Sequence, residues 1–168
     1  MAIKNQPKKF LYISSDKSVD SSTLYGTTKQ LGERLTSWAG RHIETTKFAS
    51  VRFGNVIETR GNVFEIWNEE LKNNKPLSIT EPLMKRYFIH SNEVIDFILD
   101  CTLLAKMGEI FIPKMKLYTI KQLADKISKQ QKIIGLRQGE KLQEKLLSSE
   151  EESIVIKKPN MWIIKPFK

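Results

Sequence analysis

The sequence holds one cysteine, Cys101, two histidines, His42 and His90, and 8 glycines in 168 residues. A lone cysteine excludes an internal disulfide and a cysteine-based zinc site, and it suits a reducing cytoplasm. Two histidines read as surface or capping residues, so no metal centre is expected. No apolar run approaches the roughly 18–20 residues of a membrane helix, and Met1–Lys9 carries charge without the apolar core of a secretory signal. No G-x-G-x-x-G occurs, so the glycine-rich turn that cradles a dinucleotide pyrophosphate is not among these residues. Internal repeats and low-complexity linkers are also lacking. With 40 % apolar residues the chain is too apolar for a disordered tail, and its length suits one domain or two small lobes.

Charge is plentiful and one-sided, at a net +9. Of the 28 basic residues 22 are lysines, scattered rather than gathered in a stripe. Such a surface favours solubility and attracts an anionic ligand such as a nucleotide diphosphate. Neither a recognition motif nor a run of stacking aromatics accompanies it, so nucleic-acid binding is not expected.

Lys9–Ser14 reads as a short buried strand that ends in the polar loop Ser15-Asp16-Lys17, and Ser18–Ser22 offers helix caps. The spacing of Tyr25, Lys29, Leu31, Leu35 and Trp38 predicts a helix over residues 25–39, terminated by Gly40. Lys47–Phe53 is a second strand, which makes a βαβ unit with a parallel pair and a right-handed crossover. The first strand is then an edge unless something covers it.

Beyond Gly61 the elements shorten. The pattern predicts helices at Val63–Leu71, from the Ser91-Asn92-Glu93 cap to about Lys106, at Thr119–Ser128 and at Glu140–Leu147. The apolar face of the 91–106 helix is read as Val94, Ile95, Ile98, Leu99 and Thr102. Extended pieces are expected at Pro76–Thr80, Arg86–Ile89, Glu109–Pro113 and Lys132–Leu136, with a final pair at Ile154–Ile156 and Met161–Ile164.

Tyr25-Gly26-Thr27-Thr28-Lys29 sets a phenol and an ammonium on one helical face. A neighbouring cation stabilises a phenolate and makes it a usable base toward an alcohol, although the same spacing also arises as an ordinary surface pair. The helix follows a buried strand, and ligand sites of parallel sheets lie at the strands' carboxyl ends, where Ser15, Asp16 and Lys17 fall. Asp16-Lys17 is either a solvated loop pair or an acid and a base serving one substrate. Two loops offer anion contacts or plain turn chemistry: Arg137-Gln138-Gly139-Glu140-Lys141, and Val51-Arg52-Phe53-Gly54-Asn55-Val56 followed by Arg60-Gly61.

Seven ordered blocks carry a family resemblance over nearly the whole chain: Tyr12-Ile13-Ser14-Ser15-Asp16-Lys17, Leu24-Tyr25-Gly26-Thr27-Thr28-Lys29, Val51–Val56, Arg60-Gly61, Met84–Ile89, Gly108–Lys114 and Ile134–Leu142. Together they resemble the extended short-chain dehydrogenase/reductase group. Within it, they are most similar to the inverting UDP-N-acetylglucosamine 4,6-dehydratases of flagellin-glycan and capsule biosynthesis, the polysaccharide biosynthesis proteins. The resemblance implies an α/β fold, namely the C-terminal half of a Rossmann-type sheet plus a small α/β substrate-binding lobe. Residues 1–57 would form the catalytic segment and residues 58–168 the UDP-sugar-binding lobe.

By the same resemblance, Tyr25 and Lys29 would serve oxidation at carbon 4 and contact NADP, and Ser15 would orient the hexose. Lys17 would take the proton from carbon 5, and Asp16 would protonate the departing 6-hydroxyl. Asn55, Arg60, Arg86, Arg137 and Glu140 match positions around the UDP moiety. Relatives carry an additional N-terminal cofactor half, of which Met1–Asn5 matches the end of the last helix. The resemblance therefore implies a cofactor half that is separately encoded or deleted, and no activity of this chain alone; relatives pair through the Tyr25 helix and the one before it, so a homo-oligomer here would have an incomplete dimer surface. Ser15 stands where relatives have threonine, Gln138 where they have proline, and Glu58-Thr59 where they have a small Gly-Ser pair, which puts a negative charge near the expected diphosphate. A non-catalytic remnant that binds a UDP-sugar or a partner is the alternative reading.

Overall fold

The computed structural model describes residues 2–166, and they fall into two compact units. The first comprises the chain up to Phe53, Ile95–Lys114 and the chain from Lys145; the second comprises Gly54–Val94 and Met115–Glu144. The division is interleaved, unlike the single cut after residue 57 expected from the sequence. The reason is pairing: the strand Glu109–Pro113 and the terminal hairpin, both late in the chain, join the sheet that the first two strands begin.

In the first unit a four-residue helix, α1 (Ala2–Asn5), precedes β1 (Lys9–Ile13). The long helix α2 (Leu24–His42) then carries the chain back to β2 (Lys47–Val51), which lies parallel to β1 in the register Lys9↔Lys47 to Ile13↔Val51. This is the expected βαβ unit. Strand β6 (Glu109–Pro113) pairs parallel to β2, and β10 (Met161–Ile164) and β9 (Ile156–Lys157) add an antiparallel ribbon. The sheet order is β1-β2-β6-β10-β9, with β1 at one edge. Ala49, Val51, Phe97, Cys101, Phe111 and Met161 form the core.

Helix α4 (Ser91–Leu104) contributes Phe97 and Cys101 to that core, with Ala105 just beyond it. The face expected to be buried is only partly so. Ile95 and Leu99 are exposed, because the buried stripe is Val94, Phe97, Cys101 and Ala105, one helical step round. Burial, and after it the charge of Asp100, pushes the Cys101 thiol up to about 12. A neutral, enclosed thiol does not react. A colorimetric thiol reagent at pH 8 should therefore count no thiol in the folded chain and one per chain in denaturant; fast labelling of folded protein would show the core to be open.

Helix α2 also departs from its expected end. Gly40 does not stop it, and the helix runs on to His42, with the extended Ile43 as cap. Gly40 sits instead where the helix meets the Met107–Gly108 backbone so closely that a Cβ would overlap it.

The second unit holds β3 (Asn55–Val56), α3 (Val63–Lys72), β4 (Leu77–Ile79), β5 (Lys85–Ile89), β7 (Lys116–Thr119), α5 (Ile120–Ala124) and β8 (Gln131–Ile133). Strand β5 pairs parallel to β3 and antiparallel to β7, while β4 and β8 form a separate parallel pair. The unit packs around Trp67, wholly buried, whose indole N–H donates to Ser78 O at 2.8 Å. Around it lie Leu77, Ile79, Met84, Phe88, Ile120 and Leu123. The expected helix over 119–128 is shorter, because a Thr119–Gln122 capping box starts it at Ile120 and it ends at Ala124.

The helix expected over Glu140–Leu147 does not form. Arg86 donates from Nη2 to Lys141 O at 2.9 Å, and Lys85 N donates to Leu142 O at 2.7 Å, so these carbonyls are unavailable to a helix ladder. Helical structure begins only in α6 (Ser149–Ile154), where Ser148 and Glu151 form a capping box.

Candidate active site and nucleotide pocket

The candidate catalytic residues all fall in the first unit. Beyond β1 and β2, at their carboxyl ends, two loops are zipped together by Ser14 N→Val51 O at 2.7 Å and Asp16 N→Phe53 O at 3.0 Å. Ser15 then caps a single 3₁₀ turn, Asp16–Ser18, with its hydroxyl accepting from Lys17 N. That hydroxyl donates to Asp16 Oδ1 at 3.0 Å, and Lys17 Nζ donates to the same oxygen at 3.1 Å. Asp16 is wholly buried, and its Oδ2 has no hydrogen-bond partner among the described residues. Lys17, with a side chain 38 % exposed, is the accessible member of the pair.

Tyr25 lies in the first turn of α2, which Thr23 caps by accepting from Gly26 N at 3.1 Å. Its side chain is about half exposed. The 3₁₀ turn packs directly on this first turn, so closely that a Cβ on Gly26 would overlap the Lys17 carbonyl oxygen. Lys29, one turn further on, donates from Nζ to Ile13 O at 2.9 Å, and the ammonium lies 5.4 Å from the Tyr12 ring centre and 5.7 Å from that of Tyr25. Burial, followed by the charges of Glu33 and Tyr25, raises the Tyr12 phenol above its ordinary value, so Tyr12 stays neutral under Lys29. Ser15, Asp16, Lys17, Tyr25 and Lys29 thus occupy one rim, with three acid–base side-chain types within two adjoining turns.

Among the residues the sequence reading missed are Arg52, Glu33 and Glu151, a buried ion cluster beneath this rim. Two signals for it were present: Glu33 follows Lys29 by one helical turn, and Ser148-x-x-Glu151 is a capping-box pattern.

The candidate nucleotide-contacting residues fall in the second unit. Asn55, Arg86, Arg137 and Glu140 line one cavity of about 230 Å³, with Val63, Ile66, Phe88 and Ile134 among its apolar walls. Arg137 and Glu140 face each other across a turn closed from both sides, Arg137 N→Glu140 Oε2 at 2.9 Å and Glu140 N→Arg137 O at 3.0 Å. Gly135 and Gly139 sit at φ +83° and +84°, which glycine adopts without strain. Arg86 is buried and its guanidinium serves the carbonyls of Lys85, Lys141 and Leu142. Asn55 Nδ2 donates to Tyr87 O at 3.1 Å. Arg60 does not join them; it lines a separate depression with Glu58, Glu65 and Glu69. Glu58 is there too, its carboxylate accepting from Ser91 at 2.8 Å, rather than in the wall of the Arg137 cavity.

Among the described residues no group of three or more His, Cys, Asp and Glu side chains is arranged to hold a metal, and no helix is long and apolar enough to cross a membrane. Comparison with known proteins gives a consistent frame. The chain is 36 % identical to an uncharacterized membrane protein of Methanocaldococcus jannaschii, MJ1061, over 99 % of this chain and 55 % of that protein. It is 34 % identical to a UDP-N-acetylglucosamine 4,6-dehydratase (inverting) of Campylobacter jejuni, over 97 % of this chain and 50 % of the relative. The crystal structure of Pen from Bacillus thuringiensis superposes with a TM-score of 0.91 at 31 % identity, over 98 % of this chain and 55 % of that one. The chain therefore spans about half the length of the relatives it matches. Its fold is that of the C-terminal portion of Rossmann-type dehydratases and epimerases. The model of the family described as polysaccharide biosynthesis protein matches residues 1–166, and the chain belongs to that family.

Proposed function

We propose that this chain supplies the catalytic and UDP-sugar-binding residues of an NADP-dependent UDP-N-acetylglucosamine 4,6-dehydratase, acting in the cytoplasm in surface-polysaccharide or flagellin-glycan biosynthesis. The reading rests on one observation above all: the Ser15-Asp16-Lys17 turn is packed onto the first turn of the helix that carries Tyr25.

Tyr25 takes the proton of the sugar 4-hydroxyl, and Lys29 places positive charge beside the phenolate. When bound, NADP would supply the hydride acceptor for carbon 4 and the hydride donor for carbon 6, and carbon 5 would then take up one proton, which balances the one Tyr25 removed. The carbon 4 ketone acidifies the hydrogen on carbon 5. Transfer of one proton along the 3.1 Å Lys17–Asp16 hydrogen bond turns the ion pair into a neutral amine and a carboxylic acid. Lys17 then takes the carbon 5 proton while Asp16 delivers its own to the leaving 6-hydroxyl, which departs as water, and the ion pair is restored. Elimination thus consumes no external acid or base.

For the cofactor, this chain fits the nicotinamide-ribose end. Lys29 uses one donor on Ile13 O and an ammonium has three, which leaves N–H groups for a ribose hydroxyl beside the half-exposed Tyr25. Groups outside residues 1–168, in the same polypeptide or in another, would hold the pyrophosphate. In the second unit, Arg137 and Asn55 would hold the UDP, with Arg86 and Glu140 shaping the cavity and Arg60 at the neighbouring depression. The exposed stripe Leu24, Leu31, Leu35 and Trp38 along α2 supports self-association. The full burial of Asp16 favours a second reading, a chain that binds UDP-sugar without turnover.

Calorimetric titration of the chain with UDP tests the binding half of the proposal. Saturable one-to-one heat is expected, and Arg137→Ala should weaken affinity roughly ten- to a hundred-fold, as loss of a charge-assisted bond does. Heats equal to those of buffer would sink it. With UDP-N-acetylglucosamine and NADP, this chain alone should form no 4-keto sugar; turnover would show that no second half is required.

A further inference from the structure

Three segments of the first unit converge on one buried guanidinium. Arg52, immediately after β2, donates from Nε and Nη2 to the two oxygens of Glu33 at 2.9 and 2.7 Å. It donates from Nη1 and Nη2 to those of Glu151 at 2.7 and 2.8 Å, and from Nη1 to Leu146 O at 3.0 Å. An arginine has five N–H donors in a rigid fork, and here all five are taken. Both carboxylates are therefore fixed in position as well as neutralised. Glu33 carries one contact more: its Oε1 lies 3.0 Å from the hydroxyl of Ser18, which is itself 2.7 Å from Ser15 O. Glu33 and Ser18 are both buried. The frame thus ends on the last residue of the 3₁₀ turn that presents Asp16 and Lys17.

We propose that Glu33, clamped by Arg52, is a positioning residue, which through the buried Ser18 hydroxyl sets the geometry of the Ser15–Ser18 turn and hence of the Asp16–Lys17 pair. A 3₁₀ turn closed only by Ser18 N→Ser15 O and Val19 N→Asp16 O, at 3.0 and 3.1 Å, is short and weakly held by itself. The single Ser18 O–H proton, shared between Ser15 O and Glu33 Oε1, ties it to a frame that spans α2, β2 and α6. Its importance for catalysis rests on the function proposed above, but the mechanical coupling does not.

Replacing Glu33 itself strips Arg52 of two bonds and endangers the fold, so the decisive variant is Ser18→Ala, which leaves the ion cluster intact. The full chain is pulse-labelled with acetic anhydride over a range of pH, and Lys17 is read by mass spectrometry beside the other lysines. In Ser18→Ala, Lys17 should label about tenfold faster than in the wild type while the other lysines keep their rates, because its bond to Asp16 is no longer held in register. Amide exchange at Ser18 and Val19 should accelerate, while amides of β2 keep their wild-type rates. An unchanged Lys17 profile overturns the proposal, and so does a uniform rise across all lysines and amides, which would mark Ser18 as merely structural. In the wild-type chain the Ser18 and Val19 amides should exchange as slowly as those of β2, and fast exchange there would also overturn it. None of these readings involves a nucleotide, so failed UDP binding and a failed relay are told apart.

Discussion

Arg52→Met should lower the unfolding free energy of the chain by roughly 3–5 kcal/mol, the usual cost of removing one partner from a buried ion pair. Ordinary domains hold only about 5–15 kcal/mol in total, so the variant stands near its unfolding threshold. The methionine fills much of the arginine's volume. The loss therefore comes from Glu33 and Glu151, whose side chains are only 3 % and 9 % exposed and which both lose the guanidinium that neutralises them. Replacing all three together, as Glu33→Leu, Arg52→Met and Glu151→Leu, should recover most of the loss, since an apolar substitute for a whole buried cluster is often neutral or better. Equal stability of Arg52→Met and the wild type in urea would show that water reaches the cluster. The pH dependence separates them further. Burial pushes the Glu151 carboxyl up, but the Arg52 hydrogen bonds and charge outweigh it and hold the group below its ordinary 4.5. Its folded value is depressed, so its contribution is present above about pH 4.5 and fades as pH falls through the folded value. In Arg52→Met only the Ser148 backbone hydrogen bond and the Arg34 charge still oppose burial, so the folded value rises relative to the wild type and acidification should weaken the variant less than it weakens the wild type.

How much of this was legible beforehand depends on the distance in sequence between the groups involved. The β1–α2–β2 unit could be read because its signals are local: an apolar run, a helical spacing, a second apolar run. The motif residues at the rim are local too, at most a few positions apart within each block. The Arg52 cluster pairs residues separated by 19 and 99 positions, and no window of the chain brings them together. Gly40 was misread for a related reason. A glycine that stops a helix and one that lets a helix touch a distant turn look alike in sequence, and only the Met107–Gly108 backbone tells them apart. On α4 the apolar residues run nearly all round the helix, with Ile95, Leu99 and Leu103 exposed opposite the core, so periodicity alone could not choose the buried face. The Glu140–Leu147 segment has helical spacing of its leucines, yet Lys85 and Arg86 claim its carbonyls first, an instance of tertiary contacts overriding local preference.

Gly40→Ala should cost far more stability than Gly32→Ala on the same helix, and the comparison isolates the reason. A Cβ at Gly40 would stand 2.5 Å from Met107 O and closer still to Met107 C and Gly108 N, all main-chain atoms. The turn cannot swing away. Gly108 N is bonded to Phe48 O at 2.8 Å in the neighbouring strand, and the chain enters β6 at the next residue. Gly108, at φ +97°, is equally confined, since a Cβ there would come within 2.7 Å of Ser37 O. The helix itself must lift, which disturbs its contacts along the sheet; overpacking of this kind costs about 1–3 kcal/mol or more. At Gly32 the added methyl overlaps the Tyr12 ring instead, at Cζ and Oη and at 2.7 Å from Cε1, and that far end of a partly buried side chain can turn aside. Alanine also gains up to about 1 kcal/mol over glycine inside a helix. Gly32→Ala should thus be close to neutral, whereas Gly40→Ala should lose about 2 kcal/mol net. Urea midpoints at matched slopes measure both. Midpoints in the opposite order would mean that α2 and the Met107–Gly108 turn are not in contact, and the packing that carries the Tyr25 helix across the sheet would have to be redrawn.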